Sequence, residues 1–160
     1  MSQLLIGVLA ALIPSAVVGI LTAFVTVRLA EKRFRSEKWW EKRQAAYAEI
    51  TESLTTLLYC LGEWESEQLD LEKFTEEQKK QTNADYARAK EILKRAGARG
   101  AIYVSDKAAE AVRVLLRDLG NPPKGTPLND WFAILQADYD RVSGCLLKVN
   151  ELFKKHLRVE

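Results

Sequence analysis

Few side chains in this sequence are suited to chemistry. His156 is the single histidine and sits among Lys154, Lys155 and Arg158. No cysteine or aspartate is spaced to join it as a metal ligand or general base, and a cation suits a helix C-terminus, so helix capping is its expected role. Cys60 and Cys145 match no metal-binding spacing. Both lie beside leucines in helical patterns, which predicts buried thiols and, in a reducing compartment, no structural disulfide. The Glu-x-x-His pairs of di-iron bundles are absent. The run Arg95-Ala96-Gly97-Ala98-Arg99-Gly100 comes nearest to a phosphate cradle. Two arginines beside glycines can clamp a phosphate, which makes Arg95 and Arg99 anion-binding candidates, but the Lys-Ser/Thr ending of a P-loop is missing. The competing reading is a helix stop flanked by solvated arginines. From Glu63 to Asp85 carboxylates dominate, with Glu63, Glu65, Glu67, Asp70, Glu72, Glu76, Glu77 and Asp85 against three lysines. A charged, solvated setting gives little to tune a carboxylate for acid–base work. No catalytic residue, metal ligand or cofactor is expected, and the chain does not read as an enzyme.

The element that positions everything else is Leu4 to Val27, LLIGVLAALIPSAVVGILTAFVTV, which holds no Asp, Glu, Lys, Arg or His. Roughly 20 such residues suffice to cross a bilayer as a helix. A signal peptide would want a basic residue ahead of a shorter apolar core, whereas here the charges begin on the far side. The expectation is an uncleaved span, residues 1–30, followed by a cytosolic domain, residues 31–160. Arg28, Lys32, Arg33, Arg35 and Lys38, followed by Lys42 and Arg43, form a basic collar after the span. Excess Lys and Arg stay on the cytoplasmic side, so the N-terminus faces out of a cell inner membrane. The collar is expected to meet anionic lipid head groups.

Inside the span, Gly7, Ala11, Ser15, Gly19 and Ala23 recur every fourth residue, with Thr22 and Thr26 on the same side and Ile6, Ile13, Val17, Ile20 and Phe24 opposite. Small residues let helix backbones approach closely, and hydroxyls can hydrogen-bond across the contact, so this face is expected to pack against other copies or to border a pore. Pro14 removes one backbone donor at mid-span and is expected to kink the helix.

Beyond the span the pattern is all-α. No Gly or Pro stands between Ile20 and Leu61, so the span can run on as one helix. Trp40, Tyr47, Leu54 and Leu61, interleaved with Ile50, Leu57 and Trp64, make an inward seam; Gly62 leaves the helix end open. Phe34, Trp39 and Trp40 follow the span, with one tryptophan expected in the bundle and the other at a subunit contact or turned back to the membrane. Thr75 to Gln78 reads as a capping box opening a second helix, with Tyr86, Ala89, Leu93 and Ala96 inward and Gly97 as its stop. Ala98–Val104 is a connector. Ser105-Asp106 opens a third helix with Ala108, Val112, Leu115 and Leu119 inward, ended by Gly120. After a proline- and glycine-rich loop, Asn129-Asp130 opens a fourth, with Phe132, Leu135, Tyr139, Val142, Leu146, Val149 and Phe153 inward. The expected product is one N-terminal transmembrane helix continuous with a cytosolic four-helix bundle. The formal net charge of +2 lacks the basic excess of a dedicated nucleic-acid binder.

One span, the juxtamembrane run FRSEKWWEKR (Phe34 to Arg43) and a helical bundle together resemble small bacterial inner-membrane proteins, some from mobile-element or antiviral loci. In layout the chain is also similar to the pore-forming, HEPN-like accessory protein of RNA-targeting CRISPR systems. That resemblance implies a multi-subunit pore. It does not imply RNA cleavage, because no Arg stands four to six residues before His156. The expected function is a homo-oligomeric membrane protein that forms a pore or perturbs the membrane in antiviral defence. The alternative is a membrane-tethered scaffold whose acidic region recruits a cytosolic partner.

Overall fold

The computed structural model describes the backbone of residues 2–71, 73–99, 103–125, 127 and 130–158, and their side chains apart from residues 2–23, 35, 36, 99 and 156–158. The described residues form four helices, α1 (Ser2–Gln68), α2 (Glu76–Arg99), α3 (Asp106–Asp118) and α4 (Trp131–Arg158), and no strand. The all-α reading with four helices therefore holds. Among the described residues no helix is long and apolar enough to cross a membrane, so the transmembrane part of the expected fold is not supported there. Most of the apolar run, residues 4–23, has its side chains outside the described residues. The chain divides into two compact units, Met1–Glu41 and Lys42–Glu160.

The helix α1 does not break at Gly62 but continues to Gln68. A glycine inside a helix costs about 1 kcal/mol relative to alanine, which burial of the neighbouring Leu61 readily offsets. Within the second unit, Tyr47, Ile50, Leu54, Leu57 and Leu61 are all buried, at spacings of three and four that keep them on one face. The seam expected to begin at Trp40 begins instead at Tyr47. Trp39 and Trp40 stay 49% and 39% exposed, so neither tryptophan enters a core.

The remaining helices close on that face. The Trp64 and Tyr86 rings lie 4.7 Å apart, joining α1 to α2, and Tyr47 and Phe153 lie 4.9 Å apart, joining α1 to α4. α3 packs against both α2 and α4. Tyr47 also fixes the start of α3: its hydroxyl donates to Ser105 Oγ at 3.2 Å and accepts from the Ser105 N–H at 3.1 Å. Ser105 Oγ in turn accepts from the Ala108 N–H, the expected N-cap bond.

The capping box of α2 forms as read. Thr75 Oγ1 accepts from the Gln78 N–H at 3.2 Å, and Gln78 Oε1 accepts from the Thr75 N–H at 2.8 Å. Replacing Thr75 by alanine leaves the Gln78 N–H to solvent and is expected to lower stability by about 1 kcal/mol. A urea titration of Thr75→Ala against the parent, with the slope unchanged, checks this.

Gly97 does not end α2, which runs to Arg99. Its role is close approach: a Cβ there would meet Arg113 Cγ at 3.2 Å and Val112 Cγ1 at 3.8 Å. Gly120 does end α3, at φ +81°, where a side chain would be strained. On α4 the buried stripe is Ile134, Leu135, Asp138, Val142, Cys145 and Val149. The expected stripe shares Leu135, Val142 and Val149 with it. Tyr139 and Phe132 turn outward instead, 41% and 36% exposed.

Candidate functional site

The candidate surface is built on α1 where it leaves the apolar run. Every described side chain from Phe24 to Trp40 is exposed. Phe24, Val25, Val27, Leu29 and Phe34 are each more than half exposed. Large apolar side chains without cover mark a contact surface rather than a folded interior. Cations stand among them. The Arg28 guanidinium lies 5.6 Å from the centre of the Phe24 ring, and Lys38 Nζ lies 5.3 Å from that of Phe34. Arg33 pairs loosely with Glu37 at 3.7 Å one turn on, and both are well exposed, so the pair adds little stability. Lys32 is exposed as well. Ring and cation stacked on an exposed helix make an amphipathic edge, with an apolar body and a charged tip, suited to an interface between oil and phosphate.

The other expected site residues fall as follows. Of the small-residue face, Gly7, Ala11, Ser15, Gly19, Thr22 and Ala23 have side chains outside the described residues; Thr26 is described and exposed. Of the collar, Arg28, Lys32, Arg33 and Lys38 are exposed, and Arg35 lies outside the described side chains. Arg95 is solvated and pairs with Glu91 one turn back, at 3.2 Å. Arg99 lies outside the described side chains and Gly100 outside the described residues, as do the His156 side chain and Ile102, so the expected anion site falls outside what the structure describes. In the acidic region Glu63, Glu65 and Glu67 are only half exposed, and Glu67 pairs with Lys79, which ties the end of α1 to the start of α2. That acid helps hold helices together, which leaves less of the region for a partner.

Sequence reasoning missed one buried charged pair. Asp138 is 4% exposed and sits on the inward face of α4. Its Oδ2 accepts from the Gly120 N–H at 2.8 Å and its Oδ1 from Arg141 Nη1 at 2.8 Å. The same Arg141 nitrogen donates to the carbonyls of Asp118 and Asn121, at 2.9 and 2.8 Å. The pair thus closes the C-terminal end of α3 onto α4, satisfying carbonyls that the helix end leaves without partners. The available signal was an Asp-x-x-Arg spacing with its acid in register with Leu135 and Val142. Both Asp138 oxygens and Arg141 Nη1 find their partners inside the fold, so this part of the arrangement is structural.

The two buried thiols and the half-buried Tyr86 phenol hold their protons more tightly than usual. Cys60 and Cys145 are both free and buried, and Cys60 Sγ lies 3.5 Å from the Thr82 carbonyl, to which it donates. Burial pushes the Cys60 thiol up to about 11, with the charges of Asp85 and Glu63 adding to it. Burial does the same to Cys145, also to about 11, against a smaller opposing effect of Lys148. Tyr86 is pushed up to about 12, first by burial and then by the nearby Asp138 charge. Each folded value lies above the unfolded one, so the native state holds its protons longer. The associated stability is fully present below about pH 9, the ordinary thiol value, and is lost as pH rises through about 11 for the thiols and about 12 for Tyr86. The urea midpoint is therefore expected to be level from pH 7 to 8.5 and to fall steadily from pH 9 to 11. A midpoint unchanged across that upper interval contradicts it.

Among the described residues no three His, Cys, Asp or Glu side chains gather in a way that could hold a metal ion. No protein-family model, curated protein or solved structure matches the chain.

Proposed function

We propose that this chain is a single-span membrane protein that self-associates along the small-residue face of its apolar run to form a pore or membrane-perturbing assembly, with a helical bundle on the cytoplasmic side. The observation that carries the reading is the charge-free stretch Leu4–Val27, which lies wholly within one helix, Ser2–Gln68. The exposed apolar and cationic side chains from Phe24 to Lys38 support it, since they suit the boundary where such a helix would leave lipid. Gly7, Ala11, Ser15, Gly19 and Ala23 supply the close-approach face, and Ser15, Thr22 and Thr26 its hydroxyls. No charged ring stands in that run, so the passage would be narrow or gated by dewetting.

The test is reconstitution. The full-length chain, mixed with dye-loaded liposomes containing anionic lipid, should float with the vesicles, resist carbonate extraction and release a small dye. A chain that stays in the aqueous fraction removes the membrane reading. A chain that floats and resists extraction while the dye stays in removes the pore and leaves a membrane tether.

A further inference from the structure

Between α3 and α4 lies a shallow groove of about 220 Å³. Its floor is apolar, with Ala111, Leu115 and Cys145 buried and Gly144 leaving the α4 wall low. Val114 on one wall is 37% exposed, and Leu147, three residues past Gly144 on α4, is 65% exposed. The charges that line it are segregated by helix. Its acids, Glu110 and Asp118, come from α3; its cations, Arg141 and Lys148, come from α4. The two helices run antiparallel, since Arg141 meets the C-terminal end of α3 at the Asp118 carbonyl. Glu110 thus shares one end of the groove with Lys148, and Asp118 the other with Arg141.

We infer that this groove is a contact between two copies of the chain, related by a two-fold axis running parallel to α3 and α4. That axis follows from the charge pattern. Turning one copy about a line along the groove lays its α3 over the partner's α4 without shifting the register. Glu110 then meets Lys148 of the partner subunit, Asp118 comes beside Arg141 of the partner subunit, and the two apolar floors face each other. A two-fold across the helices would instead set α3 on α3, acid against acid. An isologous contact must be self-complementary, and only the first arrangement is. Within one chain Glu110 pairs with Arg113 at 2.8 Å, Asp118 with Arg117 at 2.9 Å and Arg141 with Asp138 at 2.8 Å. Glu110 and Arg113 are both more than half exposed, so the Glu110 pair is cheaply exchanged and the Glu110–Lys148 contact is the one that decides the arrangement.

The patch is smaller than a stable soluble dimer requires. For its strength the contact rests on the proposed span, which would confine copies to one membrane and raise their effective concentration. Full-length chain, half of it labelled with nitrogen-15, is co-reconstituted in liposomes, floated, and treated with a zero-length carbodiimide. The expected product is a Glu110–Lys148 link joining a labelled to an unlabelled peptide. Lys148→Glu should abolish that mixed link, and adding Glu110→Lys in the same chain should bring it back with the charges exchanged, to at least half the parental yield. Both positions are exposed, so neither change threatens the fold. Floated protein that yields only same-copy links, or no link, overturns the inference and leaves the groove to another occupant. Failure to recover the link in the double variant overturns the two-fold arrangement. Protein that does not float defeats the membrane reading instead, and with it the tether on which this contact depends.

Discussion

Gly19→Leu is expected to convert the full-length protein in mild detergent from an oligomer to single copies. Gly19 is the second glycine of the every-fourth-residue series of small side chains, flanked in it by Ser15 and Ala23. On a helix that series brings backbones close, so that van der Waals contact and interhelical hydrogen bonds can act where lipid offers no hydrophobic drive. In the proposed assembly a leucine there would hold the two backbones apart and remove close contact over neighbouring turns as well. Interhelical hydrogen bonds in a membrane contribute about 0.6–2 kcal/mol each, and losing even one shifts dissociation by roughly threefold to thirtyfold. Light scattering with the detergent mass subtracted reads the result. Val17→Leu, on the bulky side of the same helix, should leave the mass alone. Equal masses for Gly19→Leu and the parent would remove the small-residue face as the contact.

Arg141→Ala is expected to lower the stability of the bundle by about 3 kcal/mol. The reason is what it leaves behind. The Asp138 side chain is only 6% exposed, and without the guanidinium its carboxylate keeps the Gly120 N–H alone, while the carbonyls of Asp118 and Asn121 lose their donor. An uncompensated buried charge costs more than the pair contributes. The double variant Asp138→Leu, Arg141→Leu should therefore be less destabilised than Arg141→Ala, because it removes the stranded charge. Urea titrations of the parent, the single and the double variant decide the point. A double variant worse than the single would contradict the stranded charge as the main source of the loss.

The parts of the fold legible in the sequence are those set by neighbours along the chain. The Thr75–Gln78 box, the Ser105 cap and the Gly120 stop each depend on a few consecutive residues, and each forms as read. The stripe from Tyr47 to Leu61 was legible from its spacing of three and four. What escaped depends on distant segments. A glycine can end a helix or let one helix approach another, and for Gly97 the choice was made by Arg113 and Val112 on α3. Asp138 reads as a surface residue until the Gly120 N–H and Arg141 are brought to it. Trp40 matches the period of the seam, but it lies in Met1–Glu41, outside the unit that holds the core, and stays exposed. At the candidate surface, the exposed positions of Arg28, Lys32, Arg33 and Lys38 followed from charge alone. The stacking of Arg28 on Phe24 and of Lys38 on Phe34, each one turn apart, is a side-chain arrangement that composition does not specify.

The most direct measurement is the number of copies of the intact chain in one patch of native-like bilayer. Single-molecule photobleaching of the singly labelled protein in lipid nanodiscs, at a protein-to-disc ratio low enough to exclude chance pairing, supplies it. Two or more bleaching steps per occupied disc for the parent, collapsing to one for Gly19→Leu, is the predicted outcome. A single step for the parent contradicts self-association through the apolar run.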